Sequence, residues 1–284
     1  MSKLIALVDG SIYSKSVCDH AAWIAKRTGS PNEILQVLGR RKTASAPADL
    51  SGSIALGARS TLLAELSALD EQRAKLAQKR GRAILEDAQA AVEASGVTDV
   101  ATRLRLGDIV ETIAEIEADA DMVVIGKRGE GADFAKLHLG SNLERIARSS
   151  RKPIFVASRA FKPIESFLIA FDGGASSLKA VDHVARIRLF EGLFCRLLMV
   201  AQDTPEAQKR LQDAGSILEA GGHSIEADIV AGQPDAVIAR MVETEGVNLL
   251  VMGAYGHSRI RSLVIGSTTT EMIRSCKVPV MLFR

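Results

Sequence analysis

Apolar positions along the chain follow two different spacings. Short aliphatic runs at 3–8, 33–38, 99–106, 122–125 and 154–157 read as strands, and a second set follows at 167–171, 194–201, 224–230, 249–252 and 280–283. Several of these runs have almost no polar interruption, as required where helices cover both faces of a parallel sheet. Between them the apolar residues step at helical spacing, with Ile109, Ile113 and Ile116 in 108–117 and Val237, Ile238, Met241 and Val242 in 235–245. Each half of the chain therefore predicts strand and helix in alternation through five strands. Right-handed βαβ crossovers make each half an α/β, Rossmann-like, doubly wound parallel sheet with a crevice at the carboxyl ends of its strands.

The two halves also match residue by residue. Segment 4–29 aligns with 167–192, which places Asp9 on Asp172, Gly10 on Gly173 and Asp19-His20 on Asp182-His183. Segments 121–126 and 152–158 align with 248–253 and 278–284. Two tandem domains follow, 1–159 and 160–284. The offset falls from 163 residues (Asp9 to Asp172) to 127 (Gly126 to Gly253), so the first half carries 36 extra residues between Gly39 and about Arg80. The start of this insertion is small and polar, as in a surface loop. The rest enters a helix over about 60–94, much longer than its counterpart at 205–220. Leu62, Leu66, Leu69 and Leu76 fall at heptad spacing until Arg73 and Arg80 interrupt it, so these leucines are expected to meet a second chain or to fold over the first domain. The last strands, near 153–157 and 279–283, are apolar edges and are expected to pair with each other as a pseudo-twofold. Homo-oligomer formation is expected through the long helix or the exposed strand edges.

Composition narrows the partners. The 284 residues carry 36 basic and 34 acidic side chains, a net charge of +2, with 4% aromatics. That gives neither the field nor the stacking surface for nucleic acid. No run approaches the ~20 apolar residues of a membrane span, and the N-terminus lacks the order of an export signal, so a soluble, cytoplasmic protein is expected. Cys18, Cys195 and Cys276 lack metal or redox spacing and read as buried thiols.

The most specific chemistry follows the fourth strand of the second half. Gly253 and Gly256 lie three apart, and nine residues later Gly266-Ser267-Thr268 opens an apolar periodic segment. Glycines let backbone N–H groups approach phosphate oxygens, and a helix N-terminus adds unpaired N–H groups and a favourable dipole. Arg259, Arg261 and His257 lie between. The pattern G-x2-G-x9-G-[ST] resembles that of ATP-binding members of the universal stress protein family, and the resemblance spans nearly all of the chain except the insertion. It implies a strand order of 3-2-1-4-5 in each domain, an ATP ligand and a role in stress response or regulation. It also implies that Asp172 lies on the adenosine side, that the backbone of Val200 reads adenine, and that Gly253, Gly256, Gly266, Ser267 and Thr268 hold phosphates. Family homodimers further imply that a tandem chain builds its dimer internally.

The first half keeps Asp9, Val37, Gly126, Gly129, Gly140 and Ser141, but its loop is one residue longer, Asn142 replaces a hydroxyl residue, and Glu130 and Asp133 bring negative charge. It is expected to be the poorer phosphate site. His20 and His183 sit inside predicted helices and read as packing residues, and His138 and His257 have no visible catalytic partner. No catalytic residue or metal-ligand cluster stands out, although Mg²⁺ or Mn²⁺ is compatible with bound phosphates. Three functions stay open: a nucleotide-binding regulatory protein with slow or no hydrolysis, an ATP hydrolase, and an assembly module that has lost its ligand.

Overall fold

The computed structural model describes residues 3–39, 56–129, 140–254 and 267–284. Its first half runs β1 (Lys3–Leu7), α1 (Ser14–Thr28), β2 (Asn32–Leu38), α2 (Leu56–Ala94), β3 (Val100–Leu106), α3 (Ile109–Ile116), β4 (Ala120–Gly126), α4 (Ser141–Ser149) and β5 (Ile154–Ala157). The second runs β6 (Ser166–Ala170), α5 (Ala175–Arg186), β7 (Phe194–Val200), α6 (Pro205–Ala220), β8 (Ile225–Val230), α7 (Pro234–Thr244), β9 (Leu249–Gly253), α8 (Ser267–Ser275) and β10 (Val280–Phe283).

The strands form one ten-stranded sheet in the order β3-β2-β1-β4-β5-β10-β9-β6-β7-β8. Within each half the order is the expected 3-2-1-4-5 and every pairing is parallel. The halves join at β5 and β10, which pair antiparallel with Phe155 opposite Met281. The two apolar edges thus satisfy each other, as their sequence predicts, and the two crevices open at opposite ends of the sheet. Alternation along the strands splits the core between the two faces: Leu4 and Ala6 belong to one cluster, Ile5 and Leu7 to the other, and both clusters run across the seam. The outer strands β3 and β8 are half-exposed and carry Arg103, Arg105, Glu226 and Asp228, charges that discourage further strand pairing.

Helix ends follow local chemistry. Asp108 lies just before α3 rather than inside it, and its carboxylate accepts from the N–H groups of Val110 (2.8 Å) and Glu111 (3.3 Å). Thr204 caps α6 in the same way, with Pro205 in the first turn. Helix α2 begins at Leu56, inside the stretch 40–60 that the sequence reads as a surface loop, and the rest of that stretch, 40–55, lies outside the described residues.

His20 and His183 are packing residues. His20 is fully buried between Phe155 and Phe161, with Nδ1 2.6 Å from the Ser16 carbonyl and Nε2 without a hydrogen-bond partner. His183 packs on Phe283, and its Nε2 is likewise unpaired. Burial lowers the pKa of both imidazoles, against smaller opposing contributions that include Asp19 for His20 and Asp121 for His183. The unfolded chain, titrating near the ordinary value of about 6.5, therefore takes up protons first as pH falls. These groups contribute stability that is intact above about 6.5 and is lost as pH drops toward their lower folded values. Urea titrations from neutral to mildly acid pH should show that loss. The slope should flatten in His20→Phe; an unchanged slope would remove His20 from this account.

Candidate functional site

The site of the second half is assembled at the carboxyl ends of three adjacent parallel strands, β7, β6 and β9. Asp172 follows β6, and its Oδ1 accepts from the Gly174 N–H (2.8 Å) and the Ser177 hydroxyl (2.6 Å). The carboxylate thereby fixes the turn into α5, and Gly173 supplies the left-handed φ of 72° that the turn needs. Gly253 ends β9 directly against that helix. A β-carbon there would lie 2.9 Å from Ser176 Cβ and 3.2 Å from the Ser177 nitrogen, so only glycine fits.

Thr269 then ties the start of α8 to the strand. It is buried, and its hydroxyl lies 3.3 Å from both the Gly253 and Ala254 carbonyls. The N-terminal turn of α8, with Ser267 and Thr268, is thus anchored at the end of β9. Val200 closes β7, half-buried, in register with Val230. The structure brings Asp172, Val200, Gly253 and the α8 start to one end of this half. Gly256, Gly266, His257, Arg259 and Arg261 lie outside the described residues.

The first half repeats the frame. Asp9 Oδ1 accepts from the Ser11 N–H at 3.0 Å and lies 3.5 Å from the Ser14 hydroxyl. Gly126 abuts Tyr13, where a β-carbon would lie 2.7 Å from Tyr13 Cβ. Beyond β4 the chain turns onto Asp9 itself, and a β-carbon on Gly129 would lie 2.6 Å from Asp9 Oδ2. Gly140 packs on the same loop, its N–H donating to the Lys127 carbonyl at 3.3 Å. Ser141 opens α4 and Val37 lies near the end of β2. From α2, Ile84 reaches the turn after β1, with Cδ1 2.6 Å from where a β-carbon of Gly10 would stand. An arginine stands at this turn in both halves: Arg80 Nη2 lies 3.9 Å from the same point at Gly10, and Arg210 Nη1 lies 3.6 Å from the corresponding point at Gly173. The first crevice therefore has a carboxylate against its glycine loop, which repels phosphate, and an isoleucine beside an arginine at its turn. Glu130, Asp133 and His138 fall outside the described residues.

Two features escaped the sequence reading. One was legible: both halves carry a serine five residues after the aspartate, Ser14 and Ser177, and both serines approach that carboxylate. The other depends on the antiparallel seam. Lys127, buried beside the first crevice, donates its ammonium to the Cys276 carbonyl at the end of α8. Burial lowers its pKa, while the carbonyl end of the helix is a favourable place for a cation. Across the seam, the Arg284 guanidinium donates to the Arg148 carbonyl in the last turn of α4. Each half thus holds the last helix of the other.

Among the described residues no group of three or more His, Cys, Asp or Glu side chains could hold a metal ion. No described helix is long and apolar enough to cross a membrane. All three cysteines are buried and free, and burial pushes the Cys18 and Cys195 thiols up to about 12.

Comparison with known proteins agrees with this architecture. The model of the universal stress protein family matches residues 1–158 and 196–284. A universal stress protein of Synechocystis is 36% identical over 287 residues, covering 100% of both chains. The crystal structure of a universal stress protein from Archaeoglobus fulgidus covers 99% of this chain and 98% of its own, with a TM-score of 0.75 at 18% identity, a likeness of fold. A further solved universal stress protein, a complex with cAMP, covers 43% of this chain at 25% identity and a TM-score of 0.38. By sequence match along both halves, the chain belongs to the universal stress protein family.

Proposed function

We propose that the protein binds an adenine nucleotide, ATP, in its second domain (160–284) and acts as a cytoplasmic regulatory protein that hydrolyses the ligand slowly or not at all. The supporting observation is the anchoring of the α8 N-terminus by Thr269 at the end of β9, beside the Asp172 turn. Backbone N–H groups at such a helix start meet phosphate without a lysine, and Ser267 and Thr268 add hydroxyl donors. Asp172 keeps its Oδ1 on the turn, and its carboxylate supplies a ribose acceptor. Val200 offers backbone to the base, and Gly253, Gly256 and Gly266 allow close approach of the phosphates. Slow turnover follows because fast phosphoryl transfer also requires a placed water and charge stabilisation in the transition state, and the residues assigned here bind rather than activate. Mg²⁺ or Mn²⁺ would enter with the phosphates.

Calorimetry with ATP, together with mass spectrometry of small molecules released from freshly purified protein, tests this reading. One nucleotide per chain is expected. Asp172→Asn keeps an oxygen for Gly174 and Ser177 but loses the charge, so affinity should fall about 10- to 100-fold, the worth of one charge-assisted hydrogen bond. Asp9→Asn should leave binding unchanged. A folded protein that neither carries nor takes up nucleotide would leave only the assembly reading, and rapid ATP turnover would favour the enzyme.

A further inference from the structure

Helix α2 docks on the fold through its C-terminal part. From Gly81 onward it lies on the sheet through Gly81, Leu85, Ala88 and Val92, all buried, and a β-carbon on Gly81 would lie 2.8 Å from Leu104 Cδ1. Toward its N-terminus nothing from 62 to 80 is buried. That stretch of 19 residues is roughly 28 Å long at 1.5 Å per residue. It carries Leu62, Leu66, Leu69 and Leu76, with Leu69 48% and Leu76 65% exposed. At 3.6 residues per turn these leucines centre about 115° around the helix from the buried face. The stripe is therefore not a continuation of the surface by which α2 docks on its own sheet, although Ile84 and Arg80, near the stripe's angle, reach the turn after β1.

Charge along the same stretch is segregated. Glu65, Asp70 and Glu71 occupy 65–71 without a basic residue, and Arg73, Lys75, Lys79, Arg80 and Arg82 occupy 73–82 without an acidic one. The local pairs Lys75–Glu71 and Arg73–Asp70 lie at the junction of the two blocks. A second copy running parallel would set like charges side by side, whereas an antiparallel copy sets each block against its opposite.

We propose that two copies of this chain associate through α2, antiparallel about a twofold axis near Glu71 and Gln72. Leu66 of one copy then packs on Leu76 of the other, and the aliphatic stem of Arg73 covers Leu69 across the axis. Glu65 faces Lys79. Arg73, which interrupts the heptad, thus becomes a partner for a leucine in the opposite helix of the pair. This association is independent of nucleotide binding.

Light scattering on the full chain at micromolar concentration should give twice the monomer mass of 30.3 kDa. Leu69→Glu combined with Leu76→Glu should give the monomer mass with an unchanged circular dichroism spectrum, since both sites are exposed. Glu65→Lys and Lys79→Glu should each weaken association severalfold, and the two together should restore it. Gln72→Cys, beside the axis, should cross-link on mild oxidation, while the native thiols stay buried and silent. A monomeric wild type, a dimer indifferent to the leucine substitutions, or a failure of the Gln72→Cys cross-link would overturn the proposal.

Discussion

Valine in place of Gly256 is expected to lower ATP affinity by at least ~100-fold while leaving the urea midpoint nearly unchanged. The reason lies in the spacing. Gly253 must be glycine for packing, because a β-carbon there would strike Ser176 in α5. Gly256, three residues on, is the glycine that the proposed site sets against the phosphates, where the lack of a side chain lets oxygens reach backbone N–H groups. A valine would hold the oxygens off by roughly the width of its branches, forfeiting about two charge-assisted hydrogen bonds at ~1.5–3 kcal/mol each. The matching change in the first half, Gly129→Val, has a different consequence. A β-carbon at Gly129 would lie 2.6 Å from Asp9 Oδ2, so that variant should lose stability and keep its nucleotide. Calorimetry and denaturation on both variants decide it. ATP binding that survives in Gly256→Val and vanishes in Gly129→Val would move the site to the first domain.

Repetition made much of this legible. The matched pairs Asp9/Asp172 and Gly126/Gly253 located the ends of the central strands, and parallel-sheet topology then placed them together. The apolar character of 154–157 and 280–283 was enough to anticipate the β5–β10 seam. What a linear reading could not supply was contact made across that seam. Lys127 stands between Gly126 and Gly129, and the antiparallel arrangement sends its ammonium to the carbonyl end of α8. Nothing in the spacing of Lys127 and Cys276, 149 residues apart, announces this. The approach of Ile84 to the Gly10 turn was equally hidden. The insertion shifts the numbering of α2, and an isoleucine in a long helix looks like ordinary core. The two serines beside Asp9 and Asp172 were visible, but a hydroxyl five residues after a carboxylate carries meaning only once the turn is known. Even the start of α2 at Leu56 escaped because Leu56, Gly57, Ala58, Arg59 and Ser60 give no apolar period.

Phe155→Ala should lower global stability by about 3–5 kcal/mol, the cost of emptying a large buried aromatic site. Phe155 is fully buried on β5, stands opposite Met281 of β10, and lies against the rings of His20 and Trp23. It belongs to a core cluster that contains Leu4 and Met122 from the first half and Phe167, Leu249 and Met281 from the second. A cavity here removes contacts that both halves share, so neither half can relax into it without disturbing the other. The exposed Leu178, 45% accessible on α5, serves as the control, and Leu178→Ala should stay within about 0.5 kcal/mol. The shape of the transition carries as much information as its midpoint. If the shared core couples the halves, urea unfolding of Phe155→Ala remains a single cooperative step seen alike by fluorescence of Trp23 and by circular dichroism. If instead the first half, which holds Trp23, unfolds separately from the second, the two probes part company, and the seam is an interface between independently stable domains rather than part of one core.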